Sequence, residues 1–353
     1  MPSYQLKVCD DNENLIALID NASISSLDWV VSENEVGVLS VRLPQAWSWE
    51  TFSPFRTLIL ERQLEGGGYS IVENRRWFLF DVAFGEEADG PKYCDLVAYD
   101  QNVLLEGRVV AYAEGTSEAD KVDNYDDVCK LIVTENIVSP TDTGRTITGI
   151  TVAAGTGSAP SATHKLTYKN LLQICQDMAN ASAEEGTYLV FDLVNTGAGT
   201  YEMRTYTGQH GVDHTADSGD PRVITLRSPR LECYWTGSAD VVYAGKPVQE
   251  VEATNYIAFS RFARREKFVS GSNETEAASL AQAHAEVQRS RPRLILTGQI
   301  LQTEGMQYGL DFGWGDMVTA EYAGFSMDAH ITRVHGMYDA GKEDIEVLIR
   351  GEL

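Results

Sequence analysis

The chain has 353 residues, enough for two or three domains with ample buried core. Lys and Arg number 28 against 52 Asp and Glu, a formal charge of -24. That balance argues against nucleic acid as a bound ligand, because phosphate binding needs Lys and Arg, although it allows DNA to pass close by. No apolar run reaches the roughly 18 residues a spanning helix needs, so no membrane segment is expected. Met1-Pro2-Ser3-Tyr4-Gln5 has neither a basic start nor an apolar stretch, so no signal peptide is expected. The cysteines at 9, 94, 129, 175 and 233 are scattered and never form C-x-x-C, which predicts reduced, buried thiols in a protein made in the cytosol.

Residues 4–107 read as strands. Tyr4, Leu6 and Val8 alternate, Asp10-Asp11-Asn12-Glu13-Asn14 makes a turn, and Leu15 to Ile19 returns. The acidic turn lacks the glycine and the terminal glutamate of a calcium loop. Leu58 to Arg62 is expected to pair with Trp77 to Val82 across Gly66-Gly67-Gly68, which no Gly-Lys-Ser/Thr follows, so it cradles no phosphate. Short strands at this spacing imply a sandwich or barrel.

Residues 108–222 change character. Val128, Leu131, Ile132 and Ile137 stand at near-helical spacing, and Ser139-Pro140 ends that segment. Residues 141–163 are rich in Thr, Gly, Ala and Ser and predict a flexible excursion. An amphipathic helix follows, with Thr167 as N-cap, Leu171, Leu172, Cys175 and Met178 on one stripe, and Gly186 beyond its end. Tyr188 to Val194 and Tyr201 to Tyr206 then make a hairpin. The whole reads as a small α+β lobe.

Strands resume from Val223. A helix over residues 273–290 is capped by Asn273 with Glu276, carries Ala277, Leu280, Ala281, His284 and Val287 on one face, and is stopped by Pro292. Three alternating segments close the chain: Val318-Ala320-Tyr322, Met327-Ala329-Ile331 and Ile345-Val347-Ile349. Glycines at Ala323-Gly324 and Gly341 sit where hairpin turns are needed.

Few residues suggest chemistry. His210-x-x-x-His214 with Asp213, Asp217 and Asp220 is the best metal candidate, but it lies in a glycine-bearing loop without a third His or a Cys, so no metal and no cofactor is expected. His330 and His335, at odd spacing on one strand, are expected to face opposite ways. His284 reads as a packed residue, and Trp47, Trp49, Trp77 and Phe78 read as core. There is no G-x-S-x-G, no exposed low-pKa thiol pattern and no single carboxylate pair that stands out, so no catalytic residue is assigned. Arg261, Arg264, Arg265 and Lys267 form a thin basic cluster whose expected use is contact with an acidic subunit surface.

The C-terminal order is a helix stopped by proline, then a strand. Tyr308-Gly309-Leu310-Asp311 and Gly315-Asp316-Met317-Val318 follow, and a hairpin runs to Val347-Leu348-Ile349-Arg350-Gly351. It resembles the C-terminal barrel of phage tail-hub proteins, the siphophage tail-tip hub and the baseplate hub of contractile-tailed phages. Tyr168-Lys169-Asn170-Leu171-Leu172, leading through a hairpin to Tyr206-Thr207-Gly208-Gln209, resembles the inserted lobe of the siphophage hub. The resemblance implies a mainly β fold of two tube-type antiparallel β-barrels, residues 1–107 and 223–353, with the α+β lobe of 108–222 between them. It implies a homotrimeric ring at the tail tip of a virion. Such a ring closes the tail tube and meets a distal tail or tube protein, a tape-measure protein and a tip or fibre protein. Genomic DNA would pass through without specific binding. Glu321, Asp328 and Glu346, on polar strand faces, are candidates for the channel wall, and Arg261, Arg264 and Arg265 for the subunit interface. The alternatives are a cell-wall hydrolase and a receptor- or carbohydrate-binding protein of the same particle.

Overall fold

The computed structural model describes residues 3–44, 47–64, 67–86, 90, 92–111, 120–166, 169–216, 218–234, 239–245, 248–252, 264–269, 276–289, 293–303, 305–339 and 341–352. The fold class is the expected one: mainly β, with few helices and an α+β lobe.

One large sheet carries both ends of the chain. Its strands lie in the order Leu226–Tyr234, Arg293–Ile300, Lys342–Glu352, Phe325–Asp339, Ser26–Ser32, Val38–Leu43, Lys92–Asp100, Trp77–Glu86, Thr57–Gln63, Ser3–Cys9 and Leu15–Ile19. Met317–Tyr322 pairs with the first half of Phe325–Asp339. The ends meet where Ser26–Ser32 runs antiparallel to Phe325–Asp339, with Trp29 opposite Gly336 and Val31 opposite Val334. The alternation read in the sequence is the alternation of burial: Leu6, Trp29, Leu39, Leu96, Val334, Val347 and Ile349 share one hydrophobic cluster. Gly336 is required there, because a Cβ on it would overlap the Trp29 indole.

The lobe has its own core. Helices Tyr125–Val133 and Leu171–Glu184 pack on a sheet of Ile150–Val152, Thr200–Thr207 and Leu189–Gly197. The second helix starts later than Thr167, which lies outside the described residues; Asn170 is the cap, its Oδ1 accepting from Gln173 N at 3.1 Å. Gly186 follows the helix with φ 88°, a left-handed value that closes it.

Residues 141–163 are not the expected excursion. Ile150–Val152 pairs in parallel with Tyr201, Glu202 and Met203, and Ser161–Lys165 pairs with Asp120–Asn124. Between them the chain is tied to the first turn of a helix. Asp127 accepts from Thr156 N and Gly157 N, and Asp126 from Thr156 Oγ1, Ser158 N and Ala159 N. The composition offers little apolar area, but backbone donors held by two carboxylates replace it.

A third, smaller unit holds Val241–Ala244, Gln249–Glu252 and Glu266–Val269 as a separate sheet under the helix Glu276–Arg289. The helix buries Ser279, Ala283, Glu286 and Val287 and exposes His284 and Leu280. Its inner face is thus turned from the expected stripe. Small residues, Ala239 and Ala244, lie beneath it and admit Ala283 rather than Leu280. Asn273 and Pro292 lie outside the described residues.

Candidate functional site

The candidate wall residues come together on one face. Thr319 lies opposite Asp328 and Glu321 opposite Ser326, which puts Glu321 and Asp328 on the same side of their hairpin. His330 lies opposite Arg350, and His335 opposite Glu346. An extra residue, Thr332, interrupts the ladder between Ile331 and Arg333. Parity therefore changes at that bulge, and His330 and His335 share a face instead of opposing each other. Nothing in the period-2 pattern signals the bulge.

That face is polar but mixed. Glu321, Asp328, Arg333 and Arg350 are exposed, and Thr319 Oγ1 donates to Asp328 at 2.6 Å. His335 Nε2 meets Asp28 at 2.8 Å. Arg42 grips Asp95 through two bonds of 2.7 and 2.8 Å. Asp28 and Asp95 belong to the N-terminal segment, so the face continues across the join between the two ends of the chain.

The basic cluster is partly neutralised within the chain. Arg264 donates to Glu266 at 2.8 Å and lies 3.6 Å from Glu252. Arg265 N donates to Asp240 at 2.8 Å. Arg261 lies outside the described residues. Of the cysteines, Cys233 is exposed; the other four are buried. Trp77 is core, whereas Trp49 is 56% exposed and lies against Phe84.

A second concentration of polar groups was not legible in the sequence. It lies where the large sheet, the lobe and the loop 308–316 meet, around a cleft of about 680 Å³. Arg75 is buried there, its Nη1 2.6 Å from Asp192 and 3.6 Å from Asp100, its guanidinium over the Trp314 ring at 4.6 Å. Burial pushes the Asp100 carboxyl up to about 6. Tyr308 donates to Glu73, whose carboxyl burial also raises. Asp316 accepts from Val212 N and Gly313 N, both at 2.6 Å, and so stitches the loop to the chain leaving the lobe. His210 is packed between Tyr206 and Trp314, and burial pushes it down to about 4, which keeps it neutral. His214 lies 3.7 Å from Asp316 and 3.8 Å from Asp220. The His210/His214 candidates therefore serve the joint; among the described residues no group of three or more His, Cys, Asp or Glu is placed to hold a metal. Asp217 lies outside the described residues. Beside the cleft, Arg62 binds Glu343 at 2.6 and 2.7 Å and donates to Tyr308 O. The arrangement clamps segments together.

No protein-family model matches the chain, and no curated protein matches it. Solved structures do. A 43 kDa tail protein of prophage MuSo2 from Shewanella oneidensis matches with a TM-score of 0.64 and 9% identity over 99% of this chain and 98% of its own. A tail protein from Neisseria meningitidis MC58 matches at 0.58 and 12% identity over 99% and 96%. Prophage tail protein gp18 from Listeria monocytogenes EGD-e matches at 0.56 and 10% identity over 98% and 94%. These likenesses span the large sheet, the lobe and the small unit together. The fold of this chain is therefore that of these phage and prophage tail proteins.

Proposed function

We propose that this chain is a structural protein of a phage-like tail, whose copies form a trimeric ring that closes the tail tube and lets DNA through. The observation that carries the reading is the match to prophage tail proteins over nearly the whole of both chains. The sheet supports it physically. From Leu226–Tyr234 to Trp77–Glu86 the path holds eight consecutive strands. At about 4.8 Å per strand this run is roughly 38 Å wide, and three such runs side by side enclose a ring about 37 Å across. That is wide enough for a duplex.

Glu321, Asp328 and Glu346 are the proposed wall residues. Carboxylates form no phosphate contact, so they release no counterions and leave the duplex hydrated and free to slide. Arg333 and Arg350 share the face, so the wall is mixed, not bare of cations. Arg261, Arg264 and Arg265 remain the proposed subunit contact, with the intramolecular carboxylates of Glu252 and Glu266 exchanged for those of a neighbour. The other partners are a distal tail or tube protein, a tape-measure protein and a tip or fibre protein, at the tail tip of a virion made in a host cytoplasm.

Light scattering with negative-stain imaging tests the ring. Three times the chain mass and a ring with a central hole are expected, at high concentration or with a tail partner present. A stable monomer that binds duplex DNA at physiological salt would overturn the proposal. Cell-wall degradation by the purified chain would favour a hydrolase instead.

A further inference from the structure

Leu15–Ile19 ends the large sheet, and among the described residues only Ser3–Cys9 pairs with it. All five of its residues are apolar, and Leu15, Ile16 and Leu18 are 57%, 42% and 51% exposed. An edge strand presents unpaired N–H and C=O groups. Soluble proteins guard such edges with charges, proline or a covering segment. This strand has no charge and no proline, and the one irregularity in its pairing falls between Val8 and Cys9, opposite Ala17 and Leu15; exposed leucine and isoleucine beside a backbone edge are the surface a covering segment buries.

The charges at its two ends select the occupant. Asp11 is exposed in the turn before the strand, and Asp20 is exposed just after it, with one oxygen accepting from Ser23 N at 3.0 Å and the other left to a partner. Asp10, in the same turn, has its carboxylate engaged by Asn12 and Asn14 and faces Arg56. A second copy laid antiparallel on this edge would set Asp20 of one chain near Asp11 of the other, within a pair of chains each at -24. We propose that Leu15–Ile19 is a docking edge for an extended apolar segment of a different protein, flanked by Lys or Arg and added as the next strand. The site rests on the edge itself and holds whether or not the chain forms a ring.

Hydrogen exchange of the full chain tests it. The probe is a short peptide of alternating valine and threonine with lysines at both ends, at up to millimolar concentration, compared with the same peptide ended by glutamates. The lysine peptide should slow exchange at residues 15–19 by about tenfold, and the glutamate peptide should not. Leu18→Lys should abolish that protection while leaving the circular-dichroism spectrum unchanged, since Leu18 is half exposed. Three results would overturn the proposal: no protection by the lysine peptide, equal protection by both peptides, or self-association of the free chain that L18K removes.

Discussion

The large sheet and the lobe are built by different kinds of contact. The sheet depends on pairing between the two ends of the chain: His335 meets Asp28 across 307 positions. The lobe's buried cluster lies entirely between Leu105 and Met203, and its central hairpin joins Leu189–Gly197 to its neighbour Thr200–Thr207. Between the two bodies polar contacts gather along one strand of that hairpin and at Tyr188 just before it. Asn102 Oδ1 accepts from Leu193 N, Asn34 Oδ1 accepts from Phe191 N, Arg75 holds Asp192, and Tyr188 donates to Glu33. Alongside these bonds, Val36 packs against the lobe's cluster, the Phe78 ring lies 6.1 Å from that of Tyr201, and Tyr188 stacks on His330 at 4.7 Å. The directional bonds of this seam specify one orientation where an apolar face would tolerate several.

The seam should break first. Arg75→Ala leaves Asp192 and Asp100 buried without their cation, a loss of about 3–5 kcal/mol. Urea unfolding should report it, and exchange protection should fall first along residues 189–197. An unchanged midpoint would mean that the cluster does not hold the lobe. Glu33 sharpens the same point through pH. Burial pushes its carboxyl up to about 7, against an ordinary value of 4.5. A group that holds its proton more tightly when folded favours the fold below pH 4.5, and that stabilisation is lost as the pH rises through 7. Glu33→Gln keeps an acceptor for Tyr188 and removes this titration. The difference in unfolding free energy between pH 4.5 and 7.5 should shrink by about 3 kcal/mol at most. A difference as large as in the parent chain would rule Glu33 out.

What the sequence made legible follows the same division. Alternation at Tyr4-Leu6-Val8 and Ile345-Val347-Ile349, the helix carrying Leu171 and Cys175, and the hairpin at 195–199 are local patterns, and all appear in the fold. Which strands meet at long range is not encoded in period-2 alternation, so the pairing of Ser26–Ser32 with Phe325–Asp339 was invisible. The bulge at Thr332 reversed a parity argument, and the alanines under Glu276–Arg289 turned that helix away from its expected stripe. Of the site, Glu321, Asp328 and Glu346 were read on polar faces. The cluster around Arg75 was not, because its members come from positions 73–100, 192–214 and 308–316, and no spacing rule joins them.

Gly336→Ala probes the other body. The added methyl meets the fully buried Trp29 ring across the join. Overpacking of this kind costs about 1–3 kcal/mol. Thermal unfolding should fall accordingly, with Trp29 fluorescence altered, while the lobe amides keep their protection. Loss of protection in the lobe alone would contradict the division drawn between the two bodies.

The smallest effect lies inside the lobe, at Asn170. Its side chain does two things at once: Oδ1 caps the helix Leu171–Glu184 by accepting from Gln173 N at 3.1 Å, and Nδ2 donates to Glu106 O at 2.6 Å. Asn170→Ala removes both and should cost about 1 kcal/mol, the usual value of a lost N-cap. Asn170→Asp separates them. Aspartate still caps and gains from the helix dipole, but it cannot donate to Glu106 and sets a carboxylate against that carbonyl oxygen. If the cap dominates, N170D unfolds at the parent temperature. If the tether to the chain entering the lobe dominates, N170D falls with N170A, and the first strands of the lobe lose protection before the helix does.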